Sequence, residues 1–244
     1  MKKVILLLAF CLSIGNLFAQ DENNLWDKGD AALKAKNYPE ALARYTEFLE
    51  ATNYEDISCV FNAGFCANQA NEYEKAVEFF DISIQNNYRI NDSYIGKANA
   101  LRDQNKVVEL IATVEAGLKA PHGNRELERI LYFFCMKQAQ IAQKAGNMRC
   151  AEKTFNNILV VSNKTYKENA LLSLGILCYD NGAKILQGAT YLATSNADQY
   201  AAEKAKATVE FKKSKDYLEQ GLAITQGNKY IKRFLDAVNY KLAE

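Results

Sequence analysis

The sequence predicts an all-α chain built from repeated helix hairpins, on three observations. Only 2 prolines occur in 244 residues. Proline breaks helices and punctuates loops, so its scarcity, beside much Ala, Leu, Glu, Lys and Gln, points to helices joined by short turns. The stretch KNYPEALARYTEFLE at 36–50 is echoed by NEYEKAVEFFDISIQ at 71–85. Each copy holds an aromatic, a small and an aromatic residue at three and then four spacing, Tyr38, Ala41 and Tyr45 in the first and Tyr73, Ala76 and Phe80 in the second, which puts each trio on one helix face.

Taken in order, a first helix covers Leu25–Ala35 and carries Gly29, nine residues before Tyr38. A small residue there lets the two helices of a hairpin approach closely. Asn37 is placed as the cap of the second helix, and Pro39 falls in its first turn, where a missing N–H costs least. Gly64 holds the place of Gly29 in the second copy. Ala98, Val107, Leu110, Val114 and Gly117 continue the pattern thirty-four residues on, with Tyr94 as a bulky first-helix residue and Pro121 closing the unit. Ala139, Met148, Ala151, Phe155 and Ile158 form a fourth copy, forty-one residues after the third, with Gly146-Asn147 as its turn. The extra residues are assigned to the loop Pro121-His122-Gly123-Asn124.

These residues resemble the tetratricopeptide repeat (TPR) family, which repeats a helix-turn-helix of about 34 residues with a small residue in the first helix and an aromatic, small, aromatic series in the second. Gly29/Tyr38/Ala41/Tyr45 and Gly64/Tyr73/Ala76/Phe80 carry the likeness, and the third and fourth copies match more loosely. Trp26 stands one residue beyond the usual first-helix aromatic. The resemblance implies a right-handed α-solenoid of about five hairpins that binds proteins or peptides on its concave surface. It assigns repeats to 22–55, 57–90, 91–124, 132–165 and 168–225 within a domain spanning 20–244, closed by a capping helix at 228–243.

The fifth copy breaks the spacing. Its first helix opens near Lys167 and carries Leu171, Leu174, Gly175 and Cys178, and its second ends with Phe211, Ser214, Leu218 and Gly221. Gly175 and Phe211 are thirty-six apart where nine is the rule, an insertion of twenty-seven residues. The Ala-rich stretch 179–210 has apolar residues at helical spacing, so one model lengthens both helices by about thirteen residues, roughly 20 Å each, into a projecting hairpin whose returning helix is capped by Thr194 or Ser195. The other model is a disordered insert, since Gly182 and Gly188 weaken the outgoing helix. The last segment keeps an apolar stripe of Tyr230, Phe234, Ala237 and Leu242, as a terminal cap requires.

The amino terminus reads as an export signal. Lys2 and Lys3 precede the apolar run Val4–Phe10, and Gly15-Asn16-Leu17-Phe18-Ala19-Gln20 ends it, which places cleavage after Ala19. An uncleaved anchor is one alternative. A lipid on Cys11 is another, against which bulky Phe10 stands where that signal needs a small residue. The segment resembles those of exported proteins of Gram-negative Bacteroidetes, so the expected location is the periplasm, with the outer membrane surface or secretion as alternatives. Removing Lys2 and Lys3 from 30 basic residues leaves 28 against 29 acidic ones, a balance that draws the chain neither to nucleic acid nor to an anionic membrane.

Catalytic, cofactor and metal signatures are missing from the sequence. His122 is the single histidine, so no H-E-x-x-H site exists, and neither a G-x-S-x-G elbow nor a phosphate-cradling G-x-x-x-x-G-K-[ST] loop is present. The expectation is a protein that is no enzyme and binds no cofactor. Cys59, Cys66, Cys135, Cys150 and Cys178 all fall in helical segments and read as small buried hydrophobes. A Cys135–Cys178 bridge between neighbouring first helices stays open.

Function is therefore sought on the concave face supplied by the first helices. The residues turned away from the packed partner there are Asn62, Phe65 and Gln69, then Asn99 and Arg102, then Lys137, Gln140 and Lys144. An exposed Phe65 among amides suits an extended peptide, whereas a Phe65 buried in repeat packing leaves a merely solvated face. Some TPR proteins grip a terminal carboxylate with Lys, Asn and Arg; here Asp30, Asp92 and Gly96 fall where such a site wants amide or positive groups. Two functions follow: an exported scaffold binding a protein or peptide in the cell envelope, or an assembly subunit docking into a larger envelope complex through the hairpin at 179–210.

Overall fold

The computed structural model describes residues 24–120 and 124–244. The signal segment and His122 lie outside the described residues, and among these every regular element is helical. The chain divides into two compact units, up to Leu127 and from Glu128 onward.

The first unit begins with α1 (24–34) and α2 (Tyr38–Ala51), continues with α3 (Ile57–Gln69) and α4 (Tyr73–Gln85), then α5 (Ile90–Asp103) and α6 (Val107–Lys119), and ends in the first residues of α7 (Arg125–Lys144). Each hairpin turns the same way. Lys36, Asn71 and Asn105 hold φ of 58°, 63° and 58°. The next amide in each case reaches back five residues: Asn37 N to Ala32 O, Glu72 N to Ala67 O and Lys106 N to Leu101 O, all at 2.9 Å. That pairing satisfies carbonyls the ending helix leaves without partners, and it needs one residue in the left-handed region. Asn37 stands at the start of α2 but makes no side-chain cap bond, and one of the amides such a cap would bind is missing, because Pro39 has no N–H. Pro39 sits in the first turn as the sequence implied.

The ridges of the repeat interlock as the spacing predicts. A Cβ on Gly29 would lie 2.7 Å from the Tyr45 ring, and one on Gly64 would lie 3.3 Å from Phe80. Tyr45 and Phe80 are the second aromatics of their copies and both are buried. Phe80 also closes on Gly96 of the following hairpin, where a Cβ would fall 2.3 Å from the ring. One phenyl thus joins two hairpins.

In the second unit α7 continues into α8 (Met148–Asn156), a short 3-10 turn (Asn157–Val160), α9 (Lys164–Ala189), α10 (Leu192–Ser195), α11 (Ala197–Ile224) and α12 (Lys229–Ala243). Its first turn repeats the same closure, with Gly146 at φ 77° and Asn147 N bonded to Ala142 O at 2.9 Å. α7 runs 20 residues where α3 runs 13, so this copy carries extra length in its first helix, while Pro121, His122 and Gly123 of the expected loop lie outside the described residues. Ile158 falls in the 3-10 turn, and the connection after it is held by Glu128. That buried carboxylate accepts from Ser162 N and Oγ at 2.6 Å and from Asn163 N at 3.2 Å. Asn163 in turn caps α9 through Tyr166 N, so α9 starts at Lys164, ahead of the expected Lys167.

The inserted residues are helical. α9 has 26 residues and α11 has 28, against 13 in each of α3 and α4. A Cβ on Gly175 would meet Leu218 at 2.6 Å, so Leu218 takes the place Tyr45 and Phe80 hold in the faithful copies. Ser214, at the small position, donates to Gly175 O at 2.7 Å. The cap of α11 is Asn196, whose Oδ1 accepts from Gln199 N at 3.1 Å, and not Thr194 or Ser195. Those two belong to α10, where Ser195 Oγ bonds back to Tyr191 O.

The final helix buries Ile231 and Val238, with Phe234, Leu235 and Leu242 partly buried on the same cluster. The expected stripe is thus rotated, and Tyr230 is exposed. Asn228 fixes this register by accepting from Tyr230 N and Ile231 N. Glu168 of α9 holds the turn from the other side through Thr225 and Asn228. Cys135 and Cys178 are free and buried, without a bridge, and Cys150 is exposed, contrary to the expectation of burial, because it lies on the outer face of α8 beside buried Ala151. No described helix is long and apolar enough to cross a membrane.

Candidate functional site

A groove of about 600 Å³ opens in the first unit. The repeat itself builds it. On α3 it is lined by Phe61, Asn62, Phe65, Asn68 and Gln69, and on α5 by Ile95, Gly96, Asn99, Arg102 and Asp103, the same positions one thirty-four-residue period later. Spacings of three and four put each set on one helix face. Leu33 of α1 and Arg89 with Asp92 at the start of α5 complete the rim.

The floor is aromatic. Phe61 and Phe80 are buried with ring centroids 5.7 Å apart, edge to face. Phe65 stands 39% exposed, braced by the Tyr38 ring at 6.0 Å. The polar groups are held by one another. Arg102 donates through all three of its nitrogens, to Asn99 Oδ1 at 2.9 Å and to both oxygens of Asp103 at 2.8 and 3.0 Å. Arg89 bonds Asp92 at 2.7 Å and lies 4.4 Å over the Phe61 ring, a cation–π arrangement. Asn68 Nδ2 donates to Gly96 O at 2.8 Å, while its Oδ1 is buried with no partner among the described residues.

Of the sequence-predicted residues, Asn62, Phe65, Gln69, Asn99 and Arg102 meet in this one groove. Phe65 projects from the packing rather than disappearing into it. Lys137, Gln140 and Lys144 lie on α7 in the second unit, all exposed. Asn68 and Asp103 were missed, although they follow Phe65 by three residues and Asn99 by four, both same-face helical spacings.

The second unit has a smaller hollow of about 310 Å³ between α8, α9 and α11. Lys213 sits there between Glu210 at 3.1 Å and Glu152 at 3.5 Å. Burial alone lowers its affinity for a proton, but the two carboxylates outweigh that and keep it charged. Among the described residues no group of three or more His, Cys, Asp or Glu side chains is placed to hold a metal ion.

The chain is 41% identical to a TPR repeats protein from Bacteroides fragilis NCTC 9343 whose crystal structure is known, over 90% of this chain and 98% of that one, with a TM-score of 0.80. It belongs to the TPR repeat proteins. More distant likenesses reach the TPR domain of P58(IPK), at 12% identity, 92% of this chain, 66% of that chain and a TM-score of 0.45. The TPR2AB domain of yeast Sti1, solved in complex with an Hsp90 peptide, stands at 14% identity, 93% of this chain, 100% of that chain and a TM-score of 0.38. No protein-family model matches this TPR chain. No curated protein matches it either. In TPR terms the groove lies on the first helices of the second and third repeats, and Trp26 packs inside the first repeat against Tyr45 and Phe48 at 5.8 and 5.4 Å.

Proposed function

We propose that this TPR protein is an exported, non-enzymatic scaffold that binds a protein partner in the bacterial cell envelope, and that it does so through an extended peptide segment laid in the groove between α3 and α5. The observation that carries this reading is the coincidence of Asn62, Phe65, Gln69, Asn99 and Arg102 around one open cleft. Amides along both walls offer donors and acceptors to a backbone, and the exposed Phe65 ring receives a side chain. The basic start, short apolar run and Phe18-Ala19-Gln20 ending support export, with the periplasm as the destination.

The test is affinity capture from native envelopes with a C-terminally tagged chain, followed by calorimetry with the purified captured protein. Binding that survives removal of 180–206 and is lost on Phe65→Asp fits the groove. The opposite pattern overturns it in favour of docking through the elongated hairpin, a second reading favoured by Tyr191 and Val209, which are 70% and 55% exposed on that hairpin. Export is checked by sequencing the mature terminus from a periplasmic fraction, which should begin at Gln20.

A further inference from the structure

The groove's polar groups say which kind of peptide it takes. A guanidinium free to receive a carboxylate is the usual anchor for an acidic or terminal group. Here Arg102 has each of its nitrogens engaged by Asn99 and Asp103, and Arg89 is engaged by Asp92 and the Phe61 ring. Two cations face two anions, so the lining carries no surplus charge of either sign for an ionic ligand.

One lining group is left with a demand. The Gly96 carbonyl is an acceptor only, so the Asn68 amide must turn its nitrogen toward it, which fixes Oδ1 as the remaining end. That oxygen is shielded from solvent and has no donor among the described residues. Neighbouring geometry holds it in place: Phe80 presses against Gly96 so closely that no Cβ fits, and this contact positions the carbonyl that Asn68 binds. A buried acceptor without a donor is satisfied by a ligand that brings an N–H.

We infer that the groove selects an internal, uncharged stretch of extended polypeptide that places an apolar side chain against Phe65 and donates a backbone N–H to Asn68 Oδ1, and that it discriminates against acidic segments and free chain ends. This rests on the groove being a peptide site. The neutral lining complements a neutral segment, because desolvating an acidic side chain beside Asp92 and Asp103 gains no free cation in return.

The experiment pans two phage libraries of random peptides against the full chain, one displaying the peptide between fixed flanks and the other ending in a free carboxylate. The flanked library is expected to yield binders that compete with one another, are depleted in Asp and Glu and carry one apolar residue. Methylating the backbone nitrogens of a selected peptide one at a time should then find a position where affinity falls about tenfold, the scale of one hydrogen bond to a buried acceptor. Asn68→Leu should remove that difference. Because the methylation scan leaves the protein unaltered, it decides the matter even where Asn68→Leu folds poorly. Binders drawn only from the free-carboxylate library, enrichment in acidic residues, or a scan with no sensitive position would overturn the inference while leaving a peptide site standing. If neither library yields a binder that Phe65→Asp abolishes, the peptide reading falls with it.

Discussion

Tyr45 Oη donates a 2.6 Å hydrogen bond to Asp30 Oδ1 across the first hairpin, while the Tyr45 ring fills the space Gly29 leaves. The phenol is buried, and burial first, then the bond to Asp30, pushes its ionisation well above the ordinary range. At the equivalent place in the next hairpin stands Phe80, so the ridge itself does not need the hydroxyl. Tyr45→Phe should therefore keep the fold and cost about 1.5 to 3 kcal/mol, the range for a bond to a charged partner. Gly29→Ala should cost about 1 to 3 kcal/mol by overpacking against the ring. Urea titration should show lower midpoints with unchanged slopes for both.

The repeated turn makes opposite predictions at two equivalent positions. Lys36 and Gly146 both sit in the left-handed region, at φ 58° and 77°. A side chain pays roughly 1 to 2 kcal/mol for that conformation, offset in part by glycine's greater freedom when unfolded. Lys36→Gly should raise the melting temperature by a few degrees. Gly146→Ala should lower it by a similar amount, and since a Cβ there meets nothing within 4 Å, the loss is backbone strain alone.

Much of this architecture was legible because repetition tests itself. Gly29, Tyr38, Ala41 and Tyr45 predict Gly64, Tyr73, Ala76 and Phe80, and the inserted twenty-seven residues predict that Leu218 faces Gly175, as it does. The groove positions were legible for the same reason, since Phe65 and Asn99 occupy one place in successive copies. What escaped the sequence was set by single side chains acting over distance. Glu128 fixes the start of α9 from thirty-four residues away, and Asn228 rotates α12 so that Ile231, not Tyr230, turns inward. No local pattern announces a buried carboxylate or a one-residue change of register.

The cysteines should separate sharply by reactivity. Burial pushes the thiols of Cys66, Cys135 and Cys178 up to about 12, and that of Cys59 higher still. A thiol, unlike a thiolate, is a poor nucleophile. Brief treatment of the native chain with iodoacetamide should label exposed Cys150 and spare the four buried sites, as peptide mass mapping will show. The same burial makes folding sensitive to alkali. Unfolded thiols lose their protons near 9 while the folded ones hold them to about 12, so the native state binds more protons across that window. Stability is fully present below pH 9 and falls as pH rises through the window. Cys135→Ala should flatten that decline, measured by urea midpoints between pH 8 and about 11.

The elongated hairpin should open from its tip. Residues on α9 are buried through Leu177, Cys178 and Gly182, and on α11 from Ala207 through Phe211 to Gly221. Between them, from 183 to 206, only Ala189 and Leu192 are buried. Local opening free energy follows buried apolar contact, so amides of α10 and the first turns of α11 should exchange with deuterium far faster than those around Gly175 and Ser214. Ser214→Ala removes a 2.7 Å bond inside the protected base and should cost about 1 kcal/mol globally. Tyr191→Ser, on the exposed tip, should stay within about 0.5 kcal/mol of the parent. Uniform protection along α9 and α11 would mean that the tip is held by contacts other than those within the hairpin.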